Sequence, residues 1–152
     1  MALQQMMRVF FSIADGGTTV EFFQLSDDDG GIQTLYYAHT FSGSGPVWRA
    51  PASAITLNTW QHVCVTYNMS SASNKPVLYI NGVSQTVTQV TAPSGTFTTE
   101  ANVRQSIGNA QNNVGVFGTG TFDGTIDDFR IYNRILTAQE VKRLYNMGHT
   151  GP

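Results

Sequence analysis

The sequence predicts an all-β protein, a sandwich or barrel of short strands with one short helix at its C-terminal end. Short apolar and β-branched runs alternate with turns rich in Gly, Asn and Asp along most of the 152 residues. Helical spacing of apolar residues is confined to the C-terminal end. Composition agrees with this prediction. Only 12% of residues are charged, so solubility rests on the plentiful Thr, Ser, Gly and Asn, a composition that favours a β-rich, surface-exposed protein.

The strands follow from the runs between turn signals. Residues 27–31 (DDDGG) predict a turn after the second strand, since Asp makes local hydrogen bonds and Gly tolerates positive φ. Asn81-Gly82 predicts a type I′ hairpin, which needs positive φ at both central positions. The predicted strands are residues 8–14, 19–25, 32–41, 60–67, 77–80, 83–87, 103–108, 114–117 and 125–132.

The C-terminal end predicts the helix. Residues 137–140 (TAQE) form a capping box, in which a Thr and a Glu satisfy each other's backbone N–H groups. Val141, Leu144 and Tyr145 then recur at helical spacing before Gly148. A single short helix beside the strands is the simplest interpretation.

Side-chain parity within two predicted strands adds detail. Residues 60–67 (WQHVCVTY) carry small or apolar groups on both faces, which predicts a central strand. Within residues 125–132, Asp127 shares a face with Phe129 and Ile131. Its carboxylate is therefore expected to lie beside apolar neighbours and to need a partner.

Several classes of protein are disfavoured by composition. Eight basic and ten acidic residues give a net charge of -2, with no basic run that would follow a phosphate backbone, so nucleic-acid binding is not expected. Cys64 is a single cysteine and cannot form an intrachain disulfide or a cysteine-based zinc site. Residues 1–14 lack the apolar run of a signal peptide, and no stretch is long enough to span a bilayer. One domain, residues 1–152, is predicted.

Catalytic patterns are missing from the sequence. Glu21, Glu100 and Glu140 are its only glutamates and form no closely spaced pair for glycoside hydrolysis. The three histidines are isolated, and no G-x-S-x-G nucleophile motif occurs. His62 is expected to be a hydrogen-bonded structural residue. The sequence therefore predicts a protein that is not an enzyme.

A series of motifs runs through the chain: residues 59–67 (TWQHVCVTY), 78–82 (LYING), 106–109 (SIGN), 122–134 (FDGTIDDFRIYNR), and Leu136, Thr137 and Glu140. Their order and spacing closely resemble the laminin G-like branch of the concanavalin A-like lectins and glucanases. The resemblance is strong from about residue 58 to residue 147 and weak over residues 8–41. It implies an antiparallel jelly-roll β-sandwich that recognises a polysaccharide or glycoprotein, as part of a larger extracellular or cell-surface protein.

One departure from the family concerns the N-terminal region. Family members usually have additional strands before the one that residues 8–14 resemble, so the chain looks shortened there. A missing outer strand would leave an unpaired sheet edge, which predicts a homo-oligomer formed through that edge.

The alternative to recognition of a polysaccharide or glycoprotein is a structural or assembly domain of a surface or viral particle that binds no sugar.

The resemblance also implies a metal role for Asp127. In related glucanases an aspartate at the matching place helps to hold calcium, so one structural calcium ion is expected here, with local hydrogen bonding at the strand end as the alternative. Residues 108–122 match the calcium-binding region of pentraxins, but Ala110, Gln111 and Asn112 replace its ligands. A double calcium site of that type is therefore not expected.

Sugar contact is predicted for Tyr36, Tyr37, Trp48 and Arg49, because aromatic faces pack against apolar sugar surfaces and polar groups bind hydroxyls. Trp48 is the leading candidate, since residues 42–54 are rich in Gly, Ser and Pro and predict a loop. The alternative is that its indole folds back onto the core. Tyr36 and Tyr37 are adjacent on a strand and are expected to face opposite ways.

Overall fold

The structure is a computed structural model that describes residues 8–15, 18–26, 34–52, 54–98, 103–109 and 121–149. The predicted turn at residues 27–31 and the predicted strand at residues 114–117 lie outside these ranges. The elements are β1 (Arg8–Asp15), β2 (Thr18–Ser26), β3 (Thr34–His39), β4 (Val47–Arg49), β5 (Val63–Thr66), β6 (Val77–Ile80), β7 (Val83–Ser84), β8 (Thr88–Thr91), β9 (Arg104–Ile107) and α1 (Ala138–His149).

A six-stranded antiparallel sheet forms one layer, in the order β8-β4-β3-β2-β1-β9. The four strands from β1 to β4 are neighbours both in sequence and in space, as short connections between antiparallel strands favour. All six residues of β3 are buried, because the strand has neighbours on both edges and both of its faces are covered. These strands confirm the predicted all-β class.

A smaller antiparallel sheet, in the order β5-β6-β7, forms the second layer. Asn81 and Gly82 join β6 to β7 with φ values of 51° and 74°, so the predicted hairpin is confirmed. β5 pairs only with β6 among the described strands and lies at the end of the sheet. A central position for residues 60–67 is therefore not seen among the described strands, and the strand itself covers only residues 63–66.

The main core lies between the two sheets. Leu78 and Ile80 of β6 pack with buried residues of the larger sheet, among them Leu35, Tyr37 and Trp48. Strand side chains alternate between the two faces, so Leu78 and Ile80 share one face of β6. Two sheets enclosing a common core are a β-sandwich, as predicted.

Helix α1 covers the other face of the smaller sheet. Tyr79 lies between Leu78 and Ile80 in the sequence and therefore points away from the main core. It forms a second buried cluster with Leu136 and Val141, against which Cys64 and Leu144 are packed. No helix in the described part of the chain is long and apolar enough to cross a membrane.

The predicted capping box begins the helix. The N–H of Glu140 donates to the Thr137 hydroxyl at 3.3 Å, and the N–H of Thr137 donates to Glu140 Oε2 at 2.8 Å. Two backbone donors at the helix N-terminus are thereby satisfied. Arg134 also binds the Glu140 carboxylate through both terminal nitrogens, at 2.7 and 3.0 Å, which joins the helix to the segment before it.

Residues 125–132 do not form the predicted strand. Phe129 is 38% exposed and Ile131 is 64% exposed, so the apolar face expected beside Asp127 is not buried. An alternating pattern indicates a strand only when a neighbouring strand supplies its hydrogen bonds. No ladder partner is present for this segment among the residues that the structure describes.

Candidate functional site

Three of the four residues predicted to contact sugar are buried. Tyr36, Tyr37 and Trp48 expose 4%, 1% and 0% of their surfaces. The two tyrosines lie on β3 and face opposite ways, as expected, but both faces of this strand are covered. Their rings are therefore unavailable to a ligand in this conformation.

Trp48 lies on a strand, so its predicted position in a loop is wrong. Strand β4 pairs with β3 on one side and with β8 on the other, and Trp48 is opposite Tyr37 and Gln89 in the two registers. The indole stacks against Tyr37 with ring centroids 6.1 Å apart and lies 5.4 Å from the ring of Tyr67. Trp48 thus packs in the core, which was the alternative for this residue.

Arg49 is the remaining predicted contact and is partly exposed at the end of β4. It pairs with Tyr36 of β3 and with Thr88 of β8. Among the four predicted residues, only Arg49 is therefore accessible to a ligand. The four predicted residues do not form a shared binding surface.

An exposed tryptophan instead lies at Trp60, within residues 56–61 (TLNTWQ), which we call the tryptophan loop. Trp60 exposes 68% of its surface and Leu57 exposes 49%. The backbone N–H of Thr56 donates to Gln61 Oε1 at 2.7 Å, which ties the two ends of the loop together. Asn58 adopts a φ of 58°, a left-handed conformation that Asn tolerates better than most residues.

The tryptophan loop combines an aromatic face with small polar groups. Asn58 and Thr59 are exposed next to the indole in the sequence, and Gln61 keeps its amide NH₂ donors because its bond to Thr56 uses only the oxygen. An exposed indole with neighbouring amide and hydroxyl groups has the chemistry needed to bind a sugar ring. The loop is the best candidate for ligand contact among the described residues.

The sequence pattern placed Trp60 at the start of a strand, so Trp60 was not predicted as a candidate for ligand contact. β5 begins at Val63, three residues later, so Trp60 lies before the ladder. The polar residues Asn58 and Thr59 directly before it were a turn signal that could have indicated a loop. Alternation over residues 60–67 concealed that signal.

Asp127 is exposed, and its Oδ1 accepts the backbone N–H of Asp128 at 2.8 Å. The Asp128 carboxylate is itself bound by Arg130 at 2.8 and 3.0 Å. No group of three or more His, Cys, Asp or Glu side chains that could hold a metal occurs in the described ranges. Calcium prefers six to eight oxygen ligands, so an ion at Asp127 would need further oxygens from backbone carbonyls or water. Calcium binding by Asp127 stays a prediction.

His62 lies just before β5, and its backbone is bonded to the hairpin. Its N–H donates to Asn81 Oδ1 at 3.0 Å, and its carbonyl oxygen accepts the N–H of Asn81 at 2.8 Å. Burial lowers the pKa of the imidazole, an effect that Arg130 reinforces and Asp128 opposes. The imidazole Nδ1 has no hydrogen-bond partner among the described residues. His62 is thus fixed through its backbone, and the expected side-chain hydrogen bond is not seen at Nδ1.

Two other titratable groups are unsuited to general acid-base or nucleophilic chemistry at neutral pH. Burial raises the pKa of the Cys64 thiol to about 11, which keeps it protonated and unreactive. Hydrogen bonds from Arg134 and then Thr137 lower the pKa of Glu140 to about 2. Glu140 therefore caps a helix and remains ionised, whereas a catalytic acid must carry a proton at its working pH.

Comparison with known proteins identifies the family. Residues 2–142 match the family model of the laminin G-like type described as the concanavalin A-like lectin/glucanases superfamily. The chain belongs to this superfamily. Membership in the concanavalin A-like superfamily agrees with the two antiparallel sheets and confirms the resemblance found in the sequence.

A solved structure similar to this concanavalin A-like chain is that of an S-layer domain-containing protein from Clostridium thermocellum. The two share 25% sequence identity with a TM-score of 0.44, and the match covers 95% of this chain. It covers 66% of the other chain, so the chain spans just under two thirds of that structure's length. No curated protein matches the sequence.

Proposed function

We propose that this domain recognises a polysaccharide or glycoprotein without cleaving it, as part of a larger protein at a cell surface or outside the cell. The exposed indole of Trp60 is the observation that carries the proposal. Large aromatic side chains are usually buried, and one held in a polar, hydrogen-bonded loop is suited to stack on the apolar face of a sugar. Membership in a superfamily that includes lectins supports the same proposal.

Non-catalytic recognition is favoured over hydrolysis by the state of the acidic groups. Retaining glycosidases need two carboxyl groups about 5 Å apart, one of which is protonated in the resting enzyme. Glu140 is ionised and bound to Arg134 and Thr137, and the tryptophan loop contains no acidic residue. The groups beside Trp60 can donate and accept hydrogen bonds, but none is an acid or base of suitable pKa.

The proposal is tested by glycan-array screening with and without calcium, followed by titration of each positive glycan. Trp60→Ala should weaken binding at least about tenfold, as expected for a central aromatic contact. Leu57→Ala is the matched control, because it removes an exposed apolar side chain from the same loop. Asn58→Gly keeps the left-handed backbone but removes the amide, and it should weaken binding less.

Tryptophan fluorescence gives an independent readout, because Trp48 and Trp60 are the only tryptophans. In Trp60→Phe the emission comes from the buried Trp48 alone. A bound glycan should therefore change the emission of the wild type and leave that of Trp60→Phe unchanged. Binding that is equal in the wild type and Trp60→Ala would reject the tryptophan loop as the site.

A second candidate function is assembly through sheet edges without sugar binding. Among the described strands, the outer ones of the larger sheet are β8 and β9, and each exposes an apolar side chain, Val90 and Ile107, both 55% exposed. Unpaired edges with apolar residues favour pairing with another chain. Sedimentation velocity should then show a concentration-dependent oligomer that Val90→Lys or Ile107→Lys disrupts. A blank glycan array with such an oligomer would favour assembly.

A further inference from the structure

A groove of about 240 Å³ lies between helix α1 and the segment that precedes it. It is formed by residues from both sides of the capping box and is distinct from the tryptophan loop. Its floor is apolar. Leu136 is 5% exposed and Leu144 is partly buried, and both belong to the cluster that fixes the helix on the smaller sheet.

Two exposed side chains complete the apolar part of the groove. Met147 exposes 65% of its surface and Tyr132 exposes 40%. Methionine is flexible and polarisable, so it adapts to apolar side chains of different shape. The space between Met147 and the leucines is suited to one apolar side chain of a partner, such as Leu, Met or Phe.

Arg143 places a positive charge on the rim of the groove. Arg134 and Glu140 neutralise each other in a two-point ion pair, with the shortest N–O distance 2.7 Å. Arg143 also lines the groove and has no ion pair or hydrogen bond among the described residues. The rim is therefore positive although the whole chain has a net charge of -2. An anionic group on the partner is the complementary charge.

We infer that this groove binds a protein segment in which an apolar side chain lies next to an aspartate or glutamate. The apolar side chain packs on Leu136, Leu144 and Met147, and the carboxylate accepts hydrogen bonds from the Arg143 guanidinium. A guanidinium binds a carboxylate through two parallel N–H donors, which fixes its orientation as well as its charge.

The groove chemistry favours a peptide over a sugar. A sugar needs several hydrogen-bonding groups directed at its hydroxyls, whereas Arg134 and Glu140 bind each other. Leu136, Leu144 and Met147 offer only aliphatic and thioether groups. Peptides are bound in grooves through apolar anchor side chains, and acidic peptide motifs are bound by arginines. The inference is therefore independent of sugar binding at the tryptophan loop.

The experiment is a titration of the ¹⁵N-labelled protein with an acetylated, amidated peptide, GSELGS, followed by NMR. We expect saturable shifts of amide signals from residues 132–147 and none in the tryptophan loop. Peptides GSEAGS and GSQLGS, which lack the apolar side chain or the carboxylate, should each bind at least about tenfold more weakly.

Charge reversal gives matched controls in the protein. Arg143→Glu should abolish binding of GSELGS and permit binding of GSKLGS, because the charge requirement is reversed. Lys142→Glu changes the net charge equally, but Lys142 does not line the groove, and it should have little effect. Met147→Ala should weaken binding without unfolding the protein, since Met147 is largely exposed.

Three results would overturn the inference. These are the absence of saturable shifts up to about 10 mM peptide, equal weakening by Lys142→Glu and Arg143→Glu, and stronger shifts at the groove with glucuronic acid than with GSELGS. The first excludes the site, the second indicates general charge attraction, and the third assigns the groove to an acidic sugar. Each is independent of the array result for Trp60.

Discussion

Glu140 and Thr137 hold each other at the start of helix α1, through bonds of 2.8 Å from the Thr137 N–H and 3.3 Å from the Glu140 N–H. With Arg134 as the largest contributor, these contacts lower the pKa of Glu140 from 4.5 to about 2. A carboxyl whose pKa is lower in the folded state stabilises the fold when it is ionised. The contribution is complete above the unfolded pKa and is lost as the pH falls through the folded one.

The first prediction concerns this pH dependence. Because Glu140 loses its charge in the folded state only near pH 2, the thermal midpoint of the wild type should fall between about pH 5 and pH 2. Glu140→Gln keeps the size of the side chain and removes its charge, so its midpoint should depend less on pH in this window. Melting followed by circular dichroism measures both. Parallel pH profiles would contradict the role assigned to Glu140.

The second prediction isolates the cap. Thr137→Ala removes the hydroxyl that accepts the Glu140 N–H and should destabilise the protein by about 1 kcal/mol. Thr137→Ser restores a hydroxyl and should recover most of that loss. Urea unfolding of the three proteins measures the difference. Equal stability of the Ala and Ser variants would show that the hydroxyl does not cap the helix.

The third prediction contrasts the two tryptophans. Trp48→Ala should lower the free energy of unfolding by about 3–5 kcal/mol, because a fully buried indole leaves a large cavity in the main core. Trp60→Ala should change it by no more than about 0.5 kcal/mol, since Trp60 is mostly exposed. Chemical unfolding measures both. A large loss for Trp60→Ala would mean that this indole is structural.

The fourth prediction contrasts two glycines. A Cβ at Gly82 would lie 3.2 Å from both Lys142 Cα and Tyr145 Cβ, and its φ of 74° disfavours a side chain. Gly82→Ala should therefore destabilise the protein by about 1 kcal/mol or more. Gly148 lies in α1 with nothing within 4 Å of the added carbon, so Gly148→Ala should stabilise by up to about 1 kcal/mol. Thermal melts that reverse this order would contradict the packing described.

The fifth prediction tests the calcium expectation at Asp127. A calcium ion bound only to the folded state would raise the thermal midpoint as calcium is added, and Asp127→Asn would remove that rise. The contacts seen around Asp127 favour the other outcome, a midpoint that is the same with calcium and with chelator. Magnesium provides the matched control. A calcium-specific rise in the wild type alone would establish the metal site.

Local patterns predicted the elements whose formation depends on neighbours in sequence. Asn81-Gly82 specifies its turn because both residues tolerate positive φ, and Thr137 with Glu140 specifies a helix start through side-chain bonds three residues apart. Helical spacing then placed α1 within a residue or two of its observed bounds. The resemblance to the family supplied the architecture.

Elements that depend on distant partners were not predictable in this way. β4 has only three residues within a run rich in Gly, Ser and Pro, and it forms because β3 and β8 bond to both of its edges. Residues 125–132 show the reverse, since their alternation is stronger but no ladder is seen among the described residues. Trp48 was expected in a loop and is buried on a strand, whereas Trp60 was expected on a strand and is exposed in a loop. The candidate site is therefore at Trp60 and not at Trp48.

Strand β6 contributes to both hydrophobic clusters, with Leu78 and Ile80 on one face and Tyr79 on the other. Since the backbone of four residues supports both layers, local melting of the helix removes support from the same strand that closes the sandwich. Heat or denaturant should consequently produce one cooperative transition, and probes placed in α1 and in the larger sheet should report the same midpoint.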